Sequence, residues 1–273
     1  LLFWGLKLGV DFTGGSLLEV VYKDARPSVA ELEIMIAPLN YGQVNIQPAG
    51  EAGFLIRTRS LAEEEHQRLL LALGDSGKNF LEEKRFDSIG PTIGQELRRR
   101  AITALILVLV LIILYIAWAF RKVSKPVSSW KYGIAAIIAL FHDVAIPTGI
   151  FAILGHFKGV EVDALFVTAL LTILGFSVHD TIVVFDRIRE NLRKRASENF
   201  AEVVNISVNE TMVRSINTSL TVILVLFALF FFGAESTKFF SLTLLIGVFF
   251  GTYSSIFLAS PLLVSWEKWR TRS

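Results

Sequence analysis

Two adjacent ionisable residues, His179 and Asp180, sit inside an apolar run that extends from Ala164 to Phe185 and then breaks into alternating charges. A carboxylate at the centre of a membrane helix costs roughly 2.5 to 3.5 kcal/mol on insertion scales. A chain that keeps one there is expected to use it, and the chemistry open to a lone buried acid is proton transfer. Ser177, Asp180 and Arg187 fall at i−3, i and i+7 and so share a helical face. Further on, Thr211, Arg214, Thr218 and Thr221 follow one another at steps of three, four and three, which predicts a polar stripe down one side of the next span. Arg214 is therefore the expected partner of Asp180. Apolar surroundings favour the neutral acid and an adjacent guanidinium favours the carboxylate, so movement of the Arg would switch the acid between holding and releasing a proton. The same spacing is equally compatible with a fixed ion pair that joins two helices.

A second acid, Asp143, follows His142 in another apolar run, with Pro147 four residues later. That proline removes the helical donor to the Asp143 carbonyl and predicts a kink. Asp143 is expected to be satisfied by a neighbouring helix or to take part in the relay, together with His179 and Ser177. His66 and His156 are read as solvated.

The elements that must position these residues are membrane spans. The 273 residues are 53% hydrophobic with a mean hydropathy of +0.55, and the charges cluster in a few segments. This combination reads as a polytopic membrane protein with one soluble insert. There is no cysteine, which excludes a disulfide framework and thiolate metal sites. Nothing points to a bound cofactor, a metal or nucleic acid. Residues 101–120, 133–155, 164–185, 216–233 and 239–265 are each near or above spanning length. Residues 1–10 are read as the outer end of a first helix, making six spans in all. The charged stretch Asp186 to Arg214 is expected to be an amphipathic connection with Ile206, Val213 and Ile216 at the interface. Gly247 and Gly251 form a GxxxG on the last span, suited to close helix packing, and Pro261 is expected to bend its end.

Residues 11–97 have a different character. Strands are expected at Leu17 to Tyr22, Gln43 to Gln47, Gly53 to Thr58 and Phe80 to Ile89. Helices are expected at Ser28 to Asn40, with Ser28 and Glu31 in capping-box spacing, and from Ser60 to Leu73. The order βαββαβ is the ferredoxin-like arrangement of an α+β domain. Asp11, Gly14 and Gly15 precede it, and the glycines are read as a turn from membrane into strand.

Short-loop cations set the orientation. Arg121, Lys122, Lys125, Lys131, Arg187, Arg189, Arg193, Lys194, Arg195, Lys268, Arg270 and Arg272 outnumber Lys158 and Lys238 on the other side, so the insert is expected to be extracytoplasmic and the C-terminus cytoplasmic. Arg98, Arg99 and Arg100 run against this rule and are expected to snorkel into outer headgroups.

Several long motifs together carry a family resemblance: Gly9 to Gly15, Ile89-Gly90-Pro91, Phe141 to Val144, Gly175 to Asn191, Ser241 to Gly247 and Ser254-Ser255-Ile256. In that order they resemble the SecF sequences of the SecD/SecF protein-export family, in the resistance-nodulation-division superfamily. The resemblance implies six membrane helices with an insert after the first, in a bacterial or archaeal cytoplasmic membrane. It also implies a SecD partner whose similar six helices complete a twelve-helix unit, association with the SecYEG channel, and action on unfolded preprotein at the outer face. The proton-pathway Asp and Arg of that family match Asp180 and Arg214, with protons as the coupling ion and no enzymatic activity. The rival readings are a small-molecule or lipid exporter of the same superfamily, a purely structural assembly subunit, and an intramembrane aspartyl protease using Asp143 and Asp180. Phe-Ser-Val-His before Asp180 does not fit the Gly-x-Gly-Asp pattern of such proteases.

Overall fold

The computed structural model describes residues 4–23, 26–74, 80–121, 128–195 and 197–272. They form two compact units, Leu8–Ala101 and the remainder of the chain.

In the first unit a short helix α1 (Val10–Thr13) leads into strand β1 (Gly15–Tyr22), helix α2 (Val29–Ile36), strands β2 (Asn45–Ala49) and β3 (Gly53–Thr58), helix α3 (Glu63–Leu73) and strand β4 (Leu81–Ile89). The sheet order is β2-β3-β1-β4 with every pair antiparallel, which is the ferredoxin-like arrangement. Burial alternates along β1, so Leu18, Val20 and Tyr22 point to one face, where they meet Phe54 and Ile56 of β3 and Leu32, Leu69 and Leu73 of the helices. The Tyr22 hydroxyl donates to the Leu73 carbonyl at 3.0 Å, closing α3 onto the sheet.

Helix α2 opens with the capping box expected from the sequence. The Glu31 N–H donates to Ser28 Oγ at 3.2 Å, and the Ser28 N–H to Glu31 Oε2 at 2.7 Å. The start of α3 differs from expectation: its N-cap is Ala62 rather than Ser60, and Glu65 reaches back to the Ala62 N–H at 3.0 Å. Arg59 holds Glu65 in that position through a two-pronged ion pair. His66, expected in solvent, is buried at 4% exposure and stacked on Phe86 with ring centroids 3.6 Å apart.

The corner before β1 depends on Gly14 and Gly15, whose φ values of 76° and 127° lie in the left-handed region. A Cβ on Gly14 would stand 2.7 Å from Pro91 Cα, and one on Gly15 2.7 Å from the Thr58 carbonyl oxygen.

The second unit contains helices α4 (Pro91–Ala119, entering from the first unit), α5 (Ser129–Lys158), α6 (Ala164–Lys194), α7 (Phe200–Phe232) and α8 (Glu235–Ser254). A π turn (Ser255–Ala259) follows α8 and leads into α9 (Ser260–Arg272) without a break. Among the described residues five helical stretches are long and apolar enough to cross a membrane. They run well past their apolar cores: α6 extends about two and a half turns beyond Phe185, to Lys194, and α7 begins at Phe200. The stretch expected as a separate amphipathic connection is therefore mostly the ends of two spans, joined across residues 195–199. Gly5 to Lys7, expected as the end of a first helix, is not helical. Here the Lys7 carbonyl accepts from the Val162 N–H at 2.8 Å, and Trp4 stacks on His156, which is exposed. Lys122 and Lys125 of the orientation argument lie outside the described residues.

Burial ranks the spans. Only 6% of the most apolar window of α4 is buried, against 56% for the α8–α9 span, which is the central helix of the bundle.

Two outcomes follow for the first unit. Gly14→Ala or Gly15→Ala should destabilise it by about 1 to 3 kcal/mol through forced backbone strain, seen as faster limited proteolysis of residues 8–101 with the bundle intact. The Arg59 guanidinium and the Ala62 N–H hold the Glu65 carboxyl down at about 2. Its contribution is thus present above the unfolded carboxylate value near 4.3, and it should fade as pH falls from about 4.5 towards 2. Hydrogen exchange at the start of α3 should report this fading, and Glu65→Gln should abolish it.

Candidate intramembrane carboxylate site

Helices α5, α6, α7 and α8 bring together two buried acids and a set of hydroxyls. Asp143, on α5, is fully buried. Its Oδ2 accepts from Ser177 Oγ of α6 and from Ser254 Oγ of α8, the latter at 2.7 Å, and its Oδ1 faces His142 Nδ1 at 2.9 Å. Donors from three helices therefore meet on one carboxyl group. The neighbouring-helix satisfaction expected for Asp143 is what the geometry contains, supplied mainly by serines.

Asp180, on α6, is 8% exposed, and its Oδ1 accepts from Ser215 Oγ of α7 at 2.5 Å. Its Oδ2 is buried and has no hydrogen-bond partner among the described residues. Beside it, Thr181 and Ser255 share a hydroxyl contact at 3.1 Å, and one turn further along α7 Ser219 meets Thr252 of α8.

Asp180 and Arg214, expected as partners, are not brought together in this structure. Arg214 lies on the exposed side of α7, and the described residues contain no ion pair between the two. Its chain neighbour Ser215, about 100° away around the helix, takes the place at the acid. The inward stripe of α7 is Ser207, Thr211, Ser215 and Ser219, whereas Thr218 and Thr221 share the outer side with Arg214. Of the residues proposed for α6, Ser177 bonds to Asp143 rather than to Asp180, and Arg187 pairs with Glu190 and Glu210 near the helix end. His179 turns to the exposed side.

Close approach of α8 makes these contacts possible. A Cβ on Gly251 would stand 3.1 Å from Ser177 Cβ, and one on Gly247 would run into the Ile173 side chain. The GxxxG is therefore the seat of α6 on α8. Past it the helix widens into the π turn. Pro261 has no N–H and its ring would crowd the carbonyl four residues back; the wide turn just before it relieves this crowding, and Ser260 Oγ satisfies the Ser255 carbonyl at 3.1 Å. Ser254 and Ser255 consequently both face the core, one towards each acid.

Sequence reasoning missed Ser215, Thr181, Ser254 and Ser255 as site residues. A signal existed in the four-residue repeat of small hydroxyls at 207, 211, 215 and 219. Ser and Thr satisfy themselves on helical carbonyls and are common in spans, so this repeat carries less weight than a charge.

Apolar spans packed around buried carboxylates define a multi-pass α-helical membrane protein. A family model described as Protein export membrane protein SecD/SecF, C-terminal, matches residues 72–269, and a SecD/SecF GG motif model matches residues 5–25, which include Gly14 and Gly15. The chain belongs to the SecD/SecF family. The protein translocase subunit SecF of Thermobaculum terrenum is 50% identical, the match covering 98% of this chain and 86% of that one. The corresponding subunit of Anaerolinea thermophila is 41% identical over 98% of this chain and 87% of its own. The crystal structure of SecDF, a translocon-associated membrane protein from Thermus thermophilus, superposes with a TM-score of 0.81 at 35% identity over 96% of this chain. The chain spans about a third of that longer protein.

Removing the Ser254 donor leaves the buried Asp143 carboxyl short of a hydrogen bond, at a cost of about 1 to 3 kcal/mol. Ser254→Ala should lower the thermal midpoint of the purified protein, and Gly251→Leu should lower it further by separating α6 from α8.

Proposed function

We propose that this chain is a SecF-type subunit of a protein translocase and that proton passage through its membrane helices drives its part in moving preprotein across the cytoplasmic membrane. The observation that carries the proton role is the Asp180 carboxyl, buried among membrane helices with Oδ1 held by Ser215 and Oδ2 without a hydrogen-bond partner among the described residues. A proton can be added or removed at Oδ2 without breaking the bond that positions the group. Asp143, with both oxygens engaged, has no such open oxygen.

Arg214 enters the cycle by exchange. A turn of α7 of about one residue's angle, 100°, replaces the Ser215 hydroxyl at Asp180 with the Arg214 guanidinium. The first partner suits the neutral acid and the second the carboxylate. Each charge crossing the membrane supplies about 2.3 kcal/mol per 100 mV, and several such steps could drive a helix movement. Arg214, Asn217, Thr218 and Thr221 form an outward polar stripe on α7 that hydrocarbon would not solvate. A SecD partner's helices are the proposed cover. The translocase names of the relatives support this assignment, as does the joining of SecD and SecF in one chain in Thermus thermophilus. In this reading the cation-rich helix ends at Arg121, Lys131, Arg187 to Arg195 and Lys268 face the cytoplasm. The βαββαβ unit then lies outside, where it meets emerging unfolded chain, and the SecYEG channel is the associated pore.

Asp180→Asn preserves an acceptor for Ser215 but cannot carry a proton. Reconstituted with SecD and the SecYEG channel, the variant should assemble normally, while the part of preprotein export that depends on the proton gradient falls to background. Export equal to wild type would remove Asp180 from the mechanism.

A further inference from the structure

His142 is the one member of the Asp143 cluster that reaches the surface of the bundle. Its side chain is 30% exposed, while Asp143, Ser177 and Ser254 are wholly buried. The ring lies beside two aromatic residues of α8, stacked on Tyr253 with centroids 6.4 Å apart and edge-on to Phe250 at 6.1 Å. Its Nδ1 faces Asp143 Oδ1 at 2.9 Å, which leaves Nε2 as the nitrogen turned away from the acid. Phe141, next in the chain, is 75% exposed, so this face of α5 is otherwise strongly apolar. An imidazole there gains little as packing. The exposed edge of the ring joins the outside of the bundle to a fully buried acid.

We propose that His142 is the proton port of Asp143, and that the pair forms a second proton-holding site in the bundle. This rests on the proton-driven reading above and extends it to a residue outside the Asp180 and Arg214 pair. In the resting state the neutral imidazole carries its proton on Nδ1 and donates it to the Asp143 carboxylate. A proton arriving at Nε2 from water or a partner's acidic group forms a new N–H bond. The Nδ1–H bond breaks, its proton passes to Asp143 Oδ1, and its electron pair stays on the ring. The ring is again neutral, in its other tautomer, and Asp143 has become a carboxylic acid; one proton has entered and no charge has been left in the apolar core. The groups facing the pair are Ser177 from α6, and Ser254 and the Tyr253 ring from α8. The nearest further acid along α6 is Asp180, three residues beyond Ser177. Neighbouring hydroxyls thus link the surroundings of the two acids: Ser177 and Ser254 bond Asp143, and Thr181, one turn on from Ser177 along α6, meets Ser255 of the π turn, next in the chain after Ser254, beside Asp180.

The test is infrared difference spectroscopy on the whole chain in lipid nanodiscs. The carboxylic-acid C=O band of Asp143 is assigned by its loss in Asp143→Asn and by its shift on 13C labelling of aspartate, which leaves the fold untouched. After a pH jump, this band should grow or fade in the wild-type protein. His142→Gln retains a side-chain amide that can donate to Oδ1 but cannot relay a proton. In that variant the band should respond slower by on the order of 100-fold, the size of effect general acid–base groups usually supply. In His142→Ala, added imidazole should restore the rate. A His142→Gln band that responds as fast as wild type, a His142→Ala variant that imidazole does not rescue, or an Asp143 band that ignores pH would each overturn the proposal. The export assay on Asp180→Asn is scored separately. Failure there removes the relay at Asp180, whereas the infrared kinetics decide the port at His142.

Discussion

The constraint on which the bundle depends is the hydrogen-bond demand of two carboxyl groups placed where lipid offers no donors. Each unmet lone pair in such surroundings costs free energy comparable to a lost hydrogen bond or more. Donors must therefore come from other helices, and those helices must come close. The glycines at 247 and 251, the serines that face Asp143 from α6 and α8, and the hydroxyl stripe of α7 all answer that demand. The most buried span is the one that supplies the most of these features. Among the described residues no donor to either acid comes from α4, which is the least buried span, and its apolar side chains are left for lipid or another protein.

The costly positions were legible in the sequence because charge stands out against an apolar background. Asp143 and Asp180 were found this way, and the helical spans followed from length and hydropathy. The sheet order also followed, since βαββαβ with the alternation of β1 from Ser16 onward leaves few arrangements that bury Leu18, Val20, Phe54 and Ile56 together. What failed was the angular phase of α7. Arg214 is the strongest charge on the helix, and Thr218 and Thr221 lie on its side. The core instead selected the small hydroxyls one residue on, which pack closely and donate without bringing a charge. Helix ends failed for a related reason: hydropathy marks where a helix is apolar, but backbone hydrogen bonding continues through Asp186 to Lys194, and i to i+3 and i+4 pairs such as Glu190 with Arg187 and Lys194 sustain it in water. Capping at Ser28 was legible because both halves of the box lie three residues apart. At α3 the decisive partner was Arg59, whose ion pair with Glu65 no local template encodes.

The corner at Gly14 and Gly15 illustrates a different dependence. Its backbone takes conformations that glycine adopts freely and other residues do not, and the chain around it is so near that no side chain fits. A tight corner held by contacts with Pro91 and Thr58 ties the first strand, the third strand and the start of α4 to one another through main-chain atoms alone. Such a joint tolerates changes in side chains elsewhere in the insert, because none of them takes part in it.

The two serines at the π turn have a mechanical consequence. Ser254 and Ser255 are consecutive on one helix, one bonded to Asp143 and the other to Thr181 at the side of Asp180. They act like two lobes on one camshaft. A twist of the shaft retimes both lobes together, so neither acid can lose its serine neighbour while the other contact stays as it was. A widened turn is the weak point where such a twist would start, since its i to i+5 bonding already departs from the regular ladder. Two chemical sites on separate helices are in this way geared to a single moving part.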